Sequence, residues 1–352
     1  MSFRKLFILA AIALAAVACE DEEDTSTTPS LDGSLSFAVP EYVAPLQTVT
    51  MTPKGVEHPD GKEVGFYWKV TPTMTVSDTT RYANGLDSNS ADGKPSDGSF
   101  THTFSDTLKT YIVYAYAYAS GYTSSSASRN VKVVKGGLDG SIKNTGIYSP
   151  EAKVSVDGVD YYYIRIGNLD WMRNNLSNVA SGIPYRNAEV MSDVFGRYYS
   201  YEDAMTACPE GWRLPTDAEW VGMASGFSAG SGFTAYNPVP GVASSLMADA
   251  TFNNARMWEY VPAVGDITNS SKLSFIPVGY VNMGSQDDNG GYPGASFVGL
   301  NEYAVFWTAD VVVDEPDMAY CRYLVCDQSS LFTSKASRSS FGASVRCVRE
   351  AQ

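Results

Sequence analysis

The stretch Ala207-Cys208-Pro209-Glu210-Gly211-Trp212-Arg213-Leu214-Pro215-Thr216-Asp217-Ala218-Glu219-Trp220 organises the second half of the chain. Pro209 stops a helix that Ser200 can cap, with Glu202 and Asp203 in its first turn, where carboxylates complement the positive helix end. Thr216 and Glu219 stand at capping-box spacing and open a second helix, which places Trp220 and Met223 on one face. Upstream, residues 154–161 read as a hairpin. Asp157-Gly158 supplies the positive φ angles of a two-residue turn, and the next strand spans residues 161–166.

Further outward, residues 31–136 read as all-β. Residues 34–39, 48–53, 64–71, 99–104, 110–120 and 126–134 are rich in β-branched and aromatic residues and are broken by Gly, Pro and Asp. Six short strands in such a length predict a sandwich, with Trp68 buried mid-strand between its sheets. From Gly98-Ser99-Phe100-Thr101-His102-Thr103-Phe104 to residue 134 the pattern resembles the last strands of bacterial immunoglobulin-like domains, although no cysteine pair accompanies it. Residues 77–97 read as a polar loop insertion.

The N-terminus reads as an export signal. Arg4 and Lys5 precede an apolar run at residues 6–18, too short to span a bilayer, and Cys19 follows Ala16-Val17-Ala18. This resembles a bacterial lipoprotein signal peptide over residues 1–19, with Ala16 where Leu is usual, and implies a lipid on Cys19. Residues 20–30 then form an acidic Ser/Thr/Pro tether. Its run Glu20-Asp21-Glu22-Glu23-Asp24 is similar to the signal that sends some lipoproteins to the outer face of the outer membrane, although a plain solubilising leader explains the acids equally well.

Composition narrows the partners. The 352 residues carry 25 Lys+Arg against 39 Asp+Glu, net −14, which argues against nucleic acid and against an anionic membrane surface. The two histidines, His58 and His102, have no Cys or second His at ligand spacing, so a metal site is not expected. No histidine lies beyond residue 102, which excludes Ser-His-Asp and Cys-His catalysis within the second unit.

The strongest resemblance covers residues 138–352. Ile166-Gly167-Asn168-Leu169-Asp170-Trp171-Met172, Gly196-Arg197-Tyr198-Tyr199, the stretch quoted first, Leu273-Ser274-Phe275-Ile276-Pro277-Val278-Gly279, Phe306-Trp307-Thr308 and Ala343-Ser344-Val345-Arg346-Cys347-Val348-Arg349 appear in order. Together they resemble the Fibrobacter succinogenes major paralogous domain. That family looks like a branch of the C-type lectin-like fold, which implies an α+β head after the immunoglobulin-like sandwich. It also implies core positions for Trp171, Trp212, Trp220 and Trp307.

If Cys19 carries lipid, Cys208, Cys321, Cys326 and Cys347 remain, an even number that permits three pairings in an oxidising compartment. The resemblance implies Cys208–Cys347 as the end-to-end disulfide, leaving Cys321 and Cys326 to pair or stay free. Five residues apart on an unbroken strand they would face opposite ways, so a bond between them needs a bulge or turn. Formylglycine-generating enzymes, which share the fold, bind copper(I) with two cysteines at this spacing. The Arg-Gly-Gly-Ser-Trp type run of those enzymes is absent here, so the head is expected to be noncatalytic.

For binding, the candidate surface is the glycine-rich polar loop at residues 282–293. Asp287, Asp288 and Asn289 offer acceptors for sugar hydroxyls or calcium, and Tyr292 offers a flat face; a solvated loop without a ligand is the plain alternative. The Glu-Pro-Asn and Trp-Asn-Asp calcium motifs are missing, so no cofactor is expected and calcium is a weak option. Trp258 and Tyr260 add an exposed-aromatic candidate, although a core position is favoured. The expectation is a surface lipoprotein, anchored in the outer membrane and facing outward, that recognises a glycan or an extracellular protein. The alternatives are a copper oxidase using Cys321 and Cys326 and a structural subunit of a surface assembly.

Overall fold

A computed structural model describes residues 28–73, 98–105, 107–149, 152–178, 181–259, 263–287 and 292–351. Cys19, most of the tether, the 77–97 insertion, Tyr260, Asp288 and Asn289 lie outside the described residues. Of the described residues, 42% are strand and 10% helix, hence a β-rich fold.

The N-terminal part has eight strands: β1 (Asp32–Ser36), β2 (Tyr42–Val43), β3 (Thr48–Met51), β4 (Lys54–Glu57), β5 (Gly65–Pro72), β6 (Phe100–Thr103), β7 (Thr110–Tyr118) and β8 (Ser125–Val133). They form a four-stranded sheet in the order β2-β8-β7-β5 and two ribbons, β1-β4 and β3-β6. Strict alternation along β7 explains the packing. Tyr111, Val113, Ala115 and Ala117 are buried, while the residues between them face out. Leu35 from β1, Met51 from β3 and Phe100 from β6 share one core with Trp68, Val70 and Val131 of the large sheet. Trp68 sits mid-core as expected, edge-on to Phe37 at 5.0 Å, and its indole N–H donates to the Gly98 carbonyl at 2.8 Å. The two strands that the pattern missed, β2 and β4, are two and four residues long, too short for a period to show.

The C-terminal part alternates short strands and helices: β9 (Ile142–Lys143), β10 (Lys153–Val156), β11 (Val159–Ile166), β12 (Leu169–Met172), β13 (Ile183–Pro184), α1 (Val190–Phe195), β14 (Arg197–Tyr198), α2 (Tyr201–Ala207), α3 (Asp217–Ser225) and α4 (Ala243–Leu246). It continues with β15 (Thr251–Phe252), β16 (Ala255–Arg256), β17 (Tyr280–Asn282), β18 (Ser296–Val298), β19 (Tyr303–Val312), β20 (Glu315–Val325), β21 (Phe332–Ser337), β22 (Phe341–Gly342) and β23 (Val348–Glu350). Asp157 and Gly158 take the expected positive φ between β10 and β11. Ser200 caps α2, and Thr216 with Glu219 closes the reciprocal capping box of α3. The sheet β10-β11-β12-β23 brings the C-terminus back beside the start of this region. The three-stranded sheet β19-β20-β21 lies between two cores. Ala304, Phe306 and Leu324 enter one, while Val305, Trp307 and Cys321 enter the other.

Three devices hold these short elements together. Cys208 and Cys347 form a disulfide that closes a loop of 139 residues, ending α2 against the last strands. Arg346, buried and without a carboxylate partner among the described residues, donates to Asn175 Oδ1 at 2.8 Å and to the Leu273 and Met172 carbonyls at 2.8 and 3.2 Å. Burial and the neighbouring Arg173 push its guanidinium well below its ordinary range. The third device joins the two parts. Tyr42 and Val134 are buried in a core with Tyr185, Phe195 and Tyr198, and Glu41 pairs with both Lys132 and Arg186.

Candidate functional site

Of the loop residues expected to bind a ligand, the structure places Asp287 and Tyr292. Asp287 is exposed, Tyr292 is half-buried against the core that contains Tyr42 and Tyr185, and Asp288 and Asn289 are outside the described residues. Burial pushes the Tyr292 phenol up, with Asp203 and Glu202 adding to it. Trp258 takes the favoured core position and is not an exposed binding aromatic. It is 1% exposed, packs with Trp220 and Phe275, and donates its indole N–H to the Phe275 carbonyl at 3.1 Å. It shares that core with Trp220 and Met223 of α3 and Phe306 of β19.

Cys321 and Cys326 are unbonded, so of the two options, pairing or staying free, the structure takes the second and the possible second disulfide is not formed. β20 runs unbroken through Val325, so the odd spacing sends Cys321 into one core and Cys326 toward the other. Burial pushes the Cys321 thiol up to about 12, and burial with Asp327, Glu259 and Glu302 raises Cys326. With the two sulfurs directed to opposite sides of the sheet, they are not set side by side as paired ligands. Among the described residues no three His, Cys, Asp or Glu side chains gather to hold a metal ion.

A different group is organised around Tyr236. Thr216 caps α3 and leaves Asp217 at the first helical position, where the fold buries it completely. Arg322 reaches it from β20, equally buried, donating Nε to Asp217 Oδ1 at 2.6 Å and Nη2 to Oδ2. A bidentate pair of this kind is geometrically demanding, and its remaining groups hold backbone. Asp217 Oδ2 also accepts the Tyr236 N–H at 2.6 Å, and Arg322 Nη1 donates to the Asn237 carbonyl at 2.7 Å. The buried ion pair thereby clamps Tyr236-Asn237 in an unfavourable shape, because Tyr236 has φ +63°, a region that large side chains seldom adopt.

The side chain of Tyr236 is fixed as well. Its ring stacks on Tyr320 with centroids 4.2 Å apart, and its hydroxyl donates to Asp310 Oδ1 at 3.0 Å. Asp310 is aimed by a bulge. Between Trp307↔Cys321 and Val311↔Ala319, β19 takes four steps where β20 takes two. The other Asp310 oxygen accepts the Asp217 N–H at 2.6 Å, closing a ring of contacts. Burial, the bond to Asp310 and the nearby carboxylates push the Tyr236 phenol up to about 12. Yet Tyr236 remains 44% exposed, so an immobilised aromatic face and a carboxylate edge meet solvent. None of Tyr236, Asp310 and Tyr320 stood out in the sequence. The available signal was Arg322 inside an apolar strand, because a buried arginine calls for a buried acceptor.

A cavity of about 890 Å³ lies elsewhere, where Lys135–Leu138 meet Tyr148, Tyr162, Asn174 and Asp193. Among the described residues its Asp193 side chain makes no hydrogen bond or ion pair, whereas Arg346, which also lines it, is held by Asn175 and by backbone carbonyls.

No curated protein matches the chain. Among solved structures, "Structure of Yersinia pseudotuberculosis adhesin InvE" is similar over 90% of this chain and 70% of that one, at 9% identity and a TM-score of 0.22, which is too low to bear on fold or function. The Fibrobacter succinogenes major domain matches residues 164–349, the region that carries the disulfide, the capping box and the Asp217–Arg322 pair. With more than half of its length matched, the chain belongs to the Fibrobacter succinogenes major domain family.

Proposed function

We propose that this protein is a noncatalytic surface recognition module, lipid-anchored at Cys19 in the outer membrane and facing outward. In this reading residues 31–136 form an immunoglobulin-like sandwich and residues 138–352 a C-type lectin-like head, which contacts a glycan or an extracellular protein. The observation that carries it is the exposed Tyr236 held by Tyr320, Asp310, Asp217 and Arg322. A tyrosine already fixed in place loses little side-chain entropy when a ligand lands on it, and binding gains from that preorganisation. The strained backbone and the bulge both lower stability locally, and such costs recur where a surface is selected for contact.

The test is a screen of the full chain against a glycan array and immobilised cell-surface proteins. A ligand is expected whose affinity falls at least tenfold in Tyr236→Ala, with the unfolding midpoint unchanged. Copper(I) uptake with oxidation of a substrate thiol, lost in Cys321→Ser, would overturn the noncatalytic reading. Metabolic labelling with palmitate checks the anchor, since Cys19→Ala should abolish incorporation. A structural-subunit role would use the edge strand β5, which has a single strand neighbour among the described residues.

A further inference from the structure

The outward positions of β7 are Ile112, Tyr114, Tyr116 and Tyr118, and β5 sets Tyr67 opposite Tyr116 and Lys69 opposite Tyr114. The Tyr114 and Tyr116 rings lie 6.2 Å apart and nearly parallel, at 17°, and Tyr67 is 5.8 Å from Tyr116. Gly65 faces Tyr118, whose ring lies so close that a Cβ on Gly65 would approach within 2.5 Å; the glycine makes room for that ring, which is 54% exposed. On the other side β8 presents Ser126, Ser128 and Asn130. None of the four phenol hydroxyls has a hydrogen-bond partner among the described residues.

We propose that this tyrosine row is a second binding site, distinct from Tyr236, and that it takes an uncharged linear polysaccharide chain. The charge pattern selects the occupant. The outward positions of β5, β7 and β8 hold no Asp or Glu, so a polycation finds no partner there. Among the described residues Lys69 is the charge of the row that makes no ion pair, with its ammonium 5.9 Å over the Tyr114 ring, while the chain as a whole is at −14 and repels a polyanion. What remains is an uncharged strip of rings and hydroxyls. Successive outward residues on a strand are about 6.6 Å apart, which gives each pyranose its own ring to stack on and an open phenol to exchange hydrogen bonds with. The strip is one to two rings wide, with Tyr67 beside Tyr116 on β5 and the β8 serines along its other side, and it lacks the broad apolar centre that a stable protein interface buries. The head already covers the same face farther along, at Lys132 and Tyr42, so the row continues an established contact and is the part left open.

The site stands independently of the head reading, and the test separates the two. The full chain is run through native gels containing soluble β-glucan, xylan, galactomannan or starch, with polygalacturonate as the charged comparison. At least one neutral polymer is expected to retard it, and Tyr114→Ala/Tyr116→Ala should reduce the affinity at least tenfold. Because those rings also support the sheet, Tyr116→Phe serves as the second variant. It keeps the ring and its packing and should weaken binding severalfold without moving the melting temperature. Tyr236→Ala should leave the retardation unchanged. The proposal is overturned if no neutral polymer retards the chain, if only polygalacturonate does, if the double variant binds as well as the parent, or if the row instead captures a protein. Retardation abolished by Tyr236→Ala alone would overturn this site and leave the head reading intact.

Discussion

The head and the N-terminal sheet present tyrosines to solvent by opposite means. Tyr236 is held by a fully buried ion pair, a bulge and a left-handed backbone, whereas Tyr67, Tyr114, Tyr116 and Tyr118 stand on regular strands with no charged support beneath them. A regular strand aims its side chains by its own period and orders them through their neighbours across the sheet. A loop has no such period. To hold one aromatic rigid, the head uses groups drawn from α3, β19 and β20, and it accepts the cost of burying charge to do so.

The largest expected effect comes from the covalent link that only the head possesses. Replacing Cys208 and Cys347 by serine releases a loop of 139 residues, worth up to about 5 kcal/mol in the chain-entropy description. Hydrogen exchange should show the head opening first, with β7 protected to lower stability; equal loss in both would mean that the shared core at Tyr42 and Val134 makes them unfold as one.

Next comes the ion pair. Arg322→Met leaves Asp217 buried without its partner and should cost about 3–5 kcal/mol in denaturant unfolding, whereas Lys69→Met in the tyrosine row should cost less than about 1 kcal/mol. A small effect of Arg322→Met would remove the contrast between the two regions. Thr216→Ala, which opens the capping box above Asp217, should cost about 1 kcal/mol and loosen Tyr236, read as a faster-relaxing aromatic ring by NMR.

The smallest effect is one of protonation. The Tyr236 phenol is raised from 10.0 to about 12, so the fold favours its neutral form. The stability that this lends is whole below pH 10 and is lost as pH rises through about 12. Asp310→Asn removes a negative neighbour and should lower the Tyr236 pKa in a spectrophotometric titration followed with Tyr236→Phe as the reference. An unchanged titration would show that burial alone raises it.

Much of the frame could be read beforehand, because it is local. The alternation of β7, the Asp157-Gly158 turn and the caps at Ser200 and Thr216 each rest on residues within a few positions of one another. The site was not readable in this way. The residues quoted as a binding loop are adjacent in sequence, yet Tyr292 turns into one core, and Trp258 lies in another, where its indole N–H donates to the Phe275 carbonyl. Likewise the spacing of Cys321 and Cys326 stated the condition for a bond, a turn between them, but only the unbroken β20 decided that it is absent.

By itself the sequence determined the strand and helix periods, the caps, the acidic charge and the family blocks, since each depends on neighbouring side chains and a repeating backbone geometry. Tertiary structure alone decided what is bound to what. Asp217 meets Tyr236 19 residues away and Arg322 105 residues away. Contacts at such separations are selected by the burial of charge against a particular partner in three dimensions, a condition that no local pattern encodes.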